Sequence, residues 1–173
     1  MAKLNIIAMA SLGLILASYG AFAGDTVTLN ITGNVVASPC TVNGGAGNID
    51  VGLGDIQATT LATAASSSTE KAFDIKLTDC PAGTSSVVAT FSGTSDSVAG
   101  TDYYKNTGTA GNVAVALIQA STGNLKGNGT TITQTVQSDR TVTMSMKAKA
   151  YSSAGGATPG TIKSVVTATF TYQ

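Results

Sequence analysis

The stretch GDTVTLNITGNVVASPC, residues 24–40, alternates apolar and polar residues as a half-buried β-strand does. Thr and Asn occupy most positions on one side of the alternation. The other side carries Val27, Leu29, Ile31, Gly33 and Val35. A single strand with one apolar face cannot form a core alone, and it tends to aggregate unless it is paired. The alternation therefore predicts a strand that completes a sheet, and it leaves open whose sheet that is.

The residues before this stretch have the pattern of a secretory signal peptide. Lys3 precedes the apolar run LNIIAMASLGLILA, and the run is followed by Ala21-Phe22-Ala23, a small-x-small cleavage pattern. The run is too short for a stable transmembrane anchor. We expect residues 1–23 to be removed, so that the mature chain begins at Gly24.

Composition limits the classes of function. The 173 residues include 9 Lys or Arg and 9 Asp or Glu, so no excess of positive charge attracts a nucleic acid. Only 10% of the residues are charged, against about 25% in an ordinary globular protein. A low charge suits a protein that packs against copies or relatives of itself. An ordinary small secreted β-domain fits the same numbers.

The two cysteines, Cys40 and Cys80, predict a disulfide bond, because an exported chain with an even number of cysteines folds in an oxidising compartment. Metal binding is the alternative. The chain has no His, and two thiolates alone do not make a closed zinc site.

The rest of the chain reads as short strands separated by turns. The runs rich in β-branched residues are 37–44, 48–56, 71–80, 85–93, 111–121, 131–137, 141–151 and 161–173. The Gly-rich residues 43–48 predict a hairpin turn, and residues 55–70 predict a loop or bent strand rather than a helix. Strands at this spacing without helices between them predict an all-β, immunoglobulin-like β-sandwich.

Catalytic patterns are weak. Without His the usual catalytic triads are excluded, and the nine acidic residues are dispersed singly. We expect no enzyme activity, metal or cofactor. Tyr103-Tyr104 is the one aromatic pair that could stack on a sugar, so a secreted carbohydrate-binding sandwich stays a distant alternative. We favour one ring buried and the other covering a strand edge.

Several strings together resemble one family. They are ASPCTV and LTDCP around the two cysteines, YYKNTGTAGN at 103–112, and GGATPGTIKSVVTATFTYQ at 155–173. With the signal peptide and the alternating segment, they are similar to the chaperone-usher pilus subunits of Gram-negative bacteria, in particular to the minor subunits of the type 1 tip fibrillum. The resemblance covers essentially the whole chain.

The resemblance implies an incomplete immunoglobulin-like sandwich that lacks its last strand and is completed by donor-strand complementation. Residues 24–37 would then be a donor-strand extension, and residues 38–173 the pilin domain. The implied donor residues are Val27, Leu29, Ile31, Gly33 and Val35. Alternatively, residues 24–36 are simply the first strand of a complete sandwich.

The resemblance also implies partners and a location. A periplasmic chaperone would pair with the C-terminal strand and hold the terminal carboxylate of Gln173 through basic residues. The implied chaperone-binding edge is Val166, Ala168, Phe170, Tyr172 and Gln173. An outer-membrane usher would then join the chain to neighbouring subunits, including an adhesin, in a surface fimbrium. A minor tip adaptor is the leading interpretation and the major rod pilin is the alternative. Neither nucleic acid nor stable membrane insertion is expected.

Overall fold

The structure, a computed structural model, describes residues 27–34 and 39–173. They fall into two units, a short N-terminal segment (residues 27–34) and a β-sheet domain (residues 39–173). The segment has no regular secondary structure, and all of its residues are exposed. The expected signal peptide, Val35 and Ser38 lie outside the described residues.

Ten strands form the domain in the described part of the chain. In chain order they are β1 (Thr41–Val42), β2 (Ser66–Ser67), β3 (Lys71–Thr78), β4 (Ser86–Gly93), β5 (Ser95–Asp96), β6 (Gly100–Lys105), β7 (Ala114–Gln119), β8 (Thr131–Thr135), β9 (Val142–Ser152) and β10 (Val166–Tyr172). Two short 3-10 helices span Asn43–Gly45 and Ala58–Leu61. No helix in the described residues is long and apolar enough to cross a membrane.

The strands make two antiparallel sheets. The larger sheet has the order β1-β3-β9-β7-β6-β5, with β2 also paired to β9. The smaller sheet has the order β10-β4-β8. Side chains from both sheets share one apolar core, so the predicted all-β sandwich of immunoglobulin-like kind is confirmed.

Strict alternation explains why the central strands form. Every second residue of β9, from Val142 to Ser152, is buried, and the residues between them face outward. On β4, the inward residues Val87, Ala89 and Phe91 are at most 1% exposed. A strand with this period of two buries one face completely, which fixes its register.

The predicted disulfide between Cys40 and Cys80 is present, with the two Cα atoms 4.3 Å apart. Both cysteines are buried in the main core. The bond ties the start of the domain to the end of β3, where Thr41 pairs with Thr78. In the chain-entropy description, a loop of this length is stabilised by about 4 kcal/mol.

Several local predictions were wrong. Residues 48–56 form no strand, because Gly52 and Gly54 interrupt the backbone and Leu53 packs into a second apolar cluster from irregular chain. Residues 43–48 hold a 3-10 turn but join no hairpin, since β1 pairs with β3 instead.

Residues 55–70, predicted as a loop or bent strand rather than a helix, are irregular chain with one 3-10 turn, Ala58–Leu61, and the short strand β2. Two further details differ from the expectation. The hairpin of β5 and β6 was missed because its turn residues hide the alternation. The last strand begins at Val166 rather than Thr161, since the preceding residues bond to a distant loop.

Candidate functional site: the open edge of the C-terminal strand

β10 is the last strand of the smaller sheet and pairs with β4 through seven residue pairs, from Val166 opposite Gly93 to Tyr172 opposite Val87. No residue of 39–173 pairs with its other side. β10 is therefore an edge strand whose outer side is unpaired within the described residues.

The side chains of β10 alternate between an exposed face and a face turned towards the core. Thr167, Thr169 and Thr171 point outward and are exposed. The inward residues are Val166, Ala168, Phe170 and Tyr172, and all four pack on the main core while staying only half-buried. Three of the four opposite residues on β4, Val87, Ala89 and Phe91, are buried completely. The core is thus closed over β4 and left partly uncovered along β10.

Main-chain groups on β10 follow the same alternation. Gln173 and Ser86 exchange two hydrogen bonds, at 3.0 and 3.1 Å, so they form a hydrogen-bonded antiparallel pair. Bonded pairs recur at every second residue, which directs the N–H groups of Thr167, Thr169 and Thr171 to β4. The remaining N–H and C=O groups point the other way. We call these groups of Val166, Ala168, Phe170 and Tyr172 the open edge.

The facing sheet leaves the same flank thinly covered. Its outermost strand, β1, is only two residues long, and Val42 on β1 and Phe73 on β3 are half-buried members of the same apolar cluster. Burial raises the pKa of the Tyr172 phenol, and a hydrogen bond from the main chain of Cys40 partly opposes that rise. Tyr172 and Cys40 therefore lie together at one end of the open edge.

The C-terminal residue is held by the domain itself. The main-chain oxygen of Gln173 accepts hydrogen bonds from the N–H groups of Ser85 and Ser86, at 2.6 and 3.1 Å, and from the Ser85 hydroxyl at 3.1 Å. These bonds fix the end of β10 against the start of β4. No sequence pattern predicts these bonds, because serine at the start of a strand has no specific signature.

The start of β10 is held by a second set of contacts, between residues 106–112 and residues 156–163, which we call the loop clasp. The Asn106 side chain donates to Ala110 O at 2.8 Å and accepts from the N–H groups of Gly108 and Lys163 at 2.9 and 2.8 Å. Thr109 and Thr161 exchange further bonds through their hydroxyls. Two irregular segments thereby set the place where β10 begins.

The N-terminal segment carries the predicted donor residues. Val27, Leu29 and Ile31 are 82%, 76% and 91% exposed, which is unusual for large apolar side chains. Gly33 lies in the same exposed segment, and Val35 lies outside the described residues. The donor role of these five positions stays a prediction.

The tyrosine pair is divided between two faces. Tyr104 is fully buried, and its hydroxyl donates to Lys126 O at 2.9 Å. Tyr103 stacks on Tyr151 with ring centroids 4.3 Å apart. The two rings lie over Ala114 and Ala116 of β7, and β7 is an inner strand of the larger sheet. The expectation that one ring covers a strand edge was therefore wrong.

Charged groups are scattered in the described residues, and no three His, Cys, Asp or Glu side chains lie together there as a metal site. Glu70 accepts a hydrogen bond from Lys147 at 2.9 Å and lies 3.6 Å from Lys149. The Lys147 ammonium holds the pKa of the Glu70 carboxyl below its usual value. This pair is exposed on the outer face of the larger sheet, where such bridges contribute little to stability.

Comparison with known proteins adds three findings. Residues 29–173 match a protein family described as Fimbrial protein. Protein FimG of Escherichia coli (strain K12) is 41% identical over 167 residues, covering 93% of this chain and 96% of FimG. The S-fimbrial adhesin protein SfaS of Escherichia coli O6:K15:H31 (strain 536 / UPEC) is 41% identical over 172 residues, covering 98% of this chain and 99% of SfaS.

A solved structure has the same fold. The P pilus rod subunit PapA matches with a TM-score of 0.64 and 23% identity, covering 79% of this chain and all of PapA. At that identity the match concerns the arrangement of strands alone. The sandwich described above is the fold of a pilus subunit.

Proposed function

The chain belongs to the fimbrial protein family, and from that premise we propose that it is a minor tip adaptor of a chaperone-usher fimbria, joining an adhesin to the shaft. One observation carries the proposal. The chain has both an open edge on β10 and an exposed segment with alternating apolar residues. A subunit of this kind accepts a strand from one neighbour and donates a strand to the next, so the subunits join in line.

The open edge of β10 and the exposed N-terminal segment are chemically complementary. An incoming strand would pair with the free N–H and C=O groups of the open edge, each bond contributing about 0.5 to 1.5 kcal/mol. Its apolar side chains would cover the half-buried core residues of β10. Burying a Val, Leu or Ile side chain contributes roughly 1.5 to 3 kcal/mol before entropy costs. Several such positions together suffice for a join that rarely dissociates.

An exposed apolar edge also needs protection before assembly. A periplasmic chaperone that lends a strand to the open edge would supply it, with Val166, Ala168, Phe170, Tyr172 and Gln173 as the binding edge. Transfer at an outer-membrane usher would then replace the chaperone by the next subunit. The finished chain would lie in the extracellular fimbrium.

The role of a minor adaptor, as opposed to the rod pilin, is supported by the sequence resemblance to minor tip subunits and by the 41% identity to protein FimG. The two roles differ in copy number. Quantitative mass spectrometry of sheared fimbriae should find about one copy of an adaptor for each fimbria. A chain that dominates the sheared material would instead be the rod pilin.

Two substitutions in the exposed segment test its role as a donor strand in fimbriated cells. In the variant with Leu29→Asp and Ile31→Asp, two charged groups replace the apolar side chains that a neighbour would bury. Burial of an unpaired carboxylate is strongly unfavourable, so we expect this variant to be lost from fimbriae but still to co-purify with the chaperone. The control carries Thr28→Asp and Asn30→Asp on the polar side of the same segment. Equal incorporation of both variants would contradict the donor role.

A further inference from the structure

The stacked tyrosines stand on two strands that do not pair with each other. Tyr103 is on β6 and Tyr151 is on β9, and β7 runs between them. Ala116 of β7 lies opposite Tyr103, and Ala114 lies opposite Tyr151. Both alanines are almost fully buried, at 0% and 3% exposure. Because their side chains are small, the two rings can lean towards each other across β7.

The two rings are in contact and also reach solvent. Their centroids are 4.3 Å apart and their planes are inclined by 14°. Tyr103 and Tyr151 are both half-buried, so part of each phenol is open to small molecules. The other tyrosines of the described residues are placed differently, since Tyr104 is fully buried and Tyr172 lies on the smaller sheet.

We propose that Tyr103 and Tyr151 are a site of oxidative cross-linking, at which hydrogen peroxide and a peroxidase convert the stacked pair into one dityrosine. Each phenol loses one electron and one proton, and the peroxide takes up both electrons and both protons and becomes two molecules of water. The two phenoxyl radicals form a carbon–carbon bond between ring positions next to the oxygens. The hydrogen on each bonded carbon then moves to the oxygen of its own ring, so both hydroxyls are restored.

Contact between the rings is what favours this reaction. A phenoxyl radical couples when it meets a second one, and the stack holds the partner ring in place, so no encounter by diffusion is needed. Because both side chains are half-exposed, they can rotate from the stacked to the bonded arrangement without displacing the main core.

The new bond joins β6 to β9 across β7 and closes the chain between residues 103 and 151. A covalent link between distant residues restricts the unfolded chain, as the disulfide between Cys40 and Cys80 does. The cross-link therefore stabilises the larger sheet. It lies apart from β10, so the inference does not depend on the proposed function.

Peroxidase treatment of the exported chain tests the site directly. The protein is incubated with hydrogen peroxide and a haem peroxidase at two protein concentrations, then reduced and separated on a denaturing gel. We expect a band of monomer mass with the blue fluorescence of dityrosine, in equal proportion at both concentrations. Tryptic digestion and mass spectrometry should show residues 77–105 joined to residues 150–163, with the loss of two hydrogen atoms. The urea midpoint of the unreduced protein should rise.

Substitutions by phenylalanine assign the bond to individual rings. Tyr103→Phe and Tyr151→Phe keep the packing of the rings but cannot form a phenoxyl radical, so each should abolish the joined peptides. The matched control is Tyr104→Phe, which changes the neighbouring residue in the same tryptic peptide and should keep them. The urea midpoint before oxidation confirms that each variant is folded.

The outcomes decide the inference in either direction. Coupling of free tyrosine in a parallel reaction shows that the oxidant is active. If the unchanged protein then yields no joined peptides, or if they persist in Tyr103→Phe or Tyr151→Phe, the site is overturned. Fluorescence confined to dimers and larger species would overturn it as well. None of these results bears on the open edge, because strand pairing at β10 involves neither ring.

Discussion

Tyr104 is the largest side chain that the core buries completely, and its ionisation is therefore coupled to folding. Burial raises the pKa of its phenol to about 12, from an unfolded value near 10. Because the folded state favours the neutral phenol, this stabilisation is complete below pH 10 and is lost as the pH rises towards 12.

We therefore expect the urea midpoint of the protein to fall between about pH 10 and pH 12. In Tyr104→Phe the buried group cannot ionise, so much of that fall should disappear, although the lost bond to Lys126 O lowers the midpoint at neutral pH. A pH profile of Tyr104→Phe identical in slope to that of the unchanged protein would contradict the assignment.

Sequence alone could single out certain residues but not their surroundings. The pairing of Cys40 with Cys80 followed from the count of cysteines and the signal peptide. The placement of Tyr103 and Tyr104 on opposite faces of the sheet also followed from strand alternation, which directs neighbouring side chains to opposite faces. The stacking of Tyr103 on Tyr151 did not, because it depends on the strand order that puts small alanines of β7 between them.

At the scale of elements, the loop clasp is the contact that sets where β10 begins. Gly108 and Gly160 lie where the two segments approach most closely, and a Cβ atom at Gly108 would clash with the Thr161 carbonyl. Glycine is required at this position because there is no room for a Cβ atom, and not because of the backbone conformation. The sequence around Gly108 and Gly160 does not indicate that the two segments contact each other.

We expect Gly108→Ala to lower the free energy of unfolding by about 1 to 3 kcal/mol, the usual cost of forcing an atom into a packed contact. The control is Gly52→Ala, because a Cβ atom at Gly52 meets nothing within 4 Å. Urea unfolding of both variants measures the difference. If Gly108→Ala proved as stable as Gly52→Ala, the clasp would have no part in fixing the domain.

Strands could be predicted from the sequence wherever alternation was strong. The runs that became β3, β4 and β9 have clear periods of two and long ladders. Residues 48–56 have apolar residues at similar spacing, yet they cover the cluster around Leu61 and Val113 as irregular chain. Local pattern cannot distinguish these cases, because pairing partners are set by the tertiary fold.

For the whole molecule, the fold class was predictable and the open edge was only implied by resemblance. A C-terminal strand with one unpaired edge has the same alternation as a strand paired on both sides, so periodicity cannot distinguish the two. The structure shows an unpaired edge strand with half-buried inward residues, through the strand order and the burial along β10. The account of the molecule as a subunit that must be completed by another chain depends on that combination.

Amide hydrogen exchange along β10, followed by NMR, tests this claim most directly. The protein carries Leu29→Asp and Ile31→Asp, and spectra are compared without and with an excess of a peptide of residues 24–37. Without peptide, we expect slow exchange at Thr167, Thr169 and Thr171, whose N–H groups face β4, and fast exchange at Ala168, Phe170 and Tyr172. Adding the peptide should slow exchange at the latter three alone. Protection of all six amides before any peptide is added, or no change at Ala168, Phe170 and Tyr172 after it, would contradict the open edge.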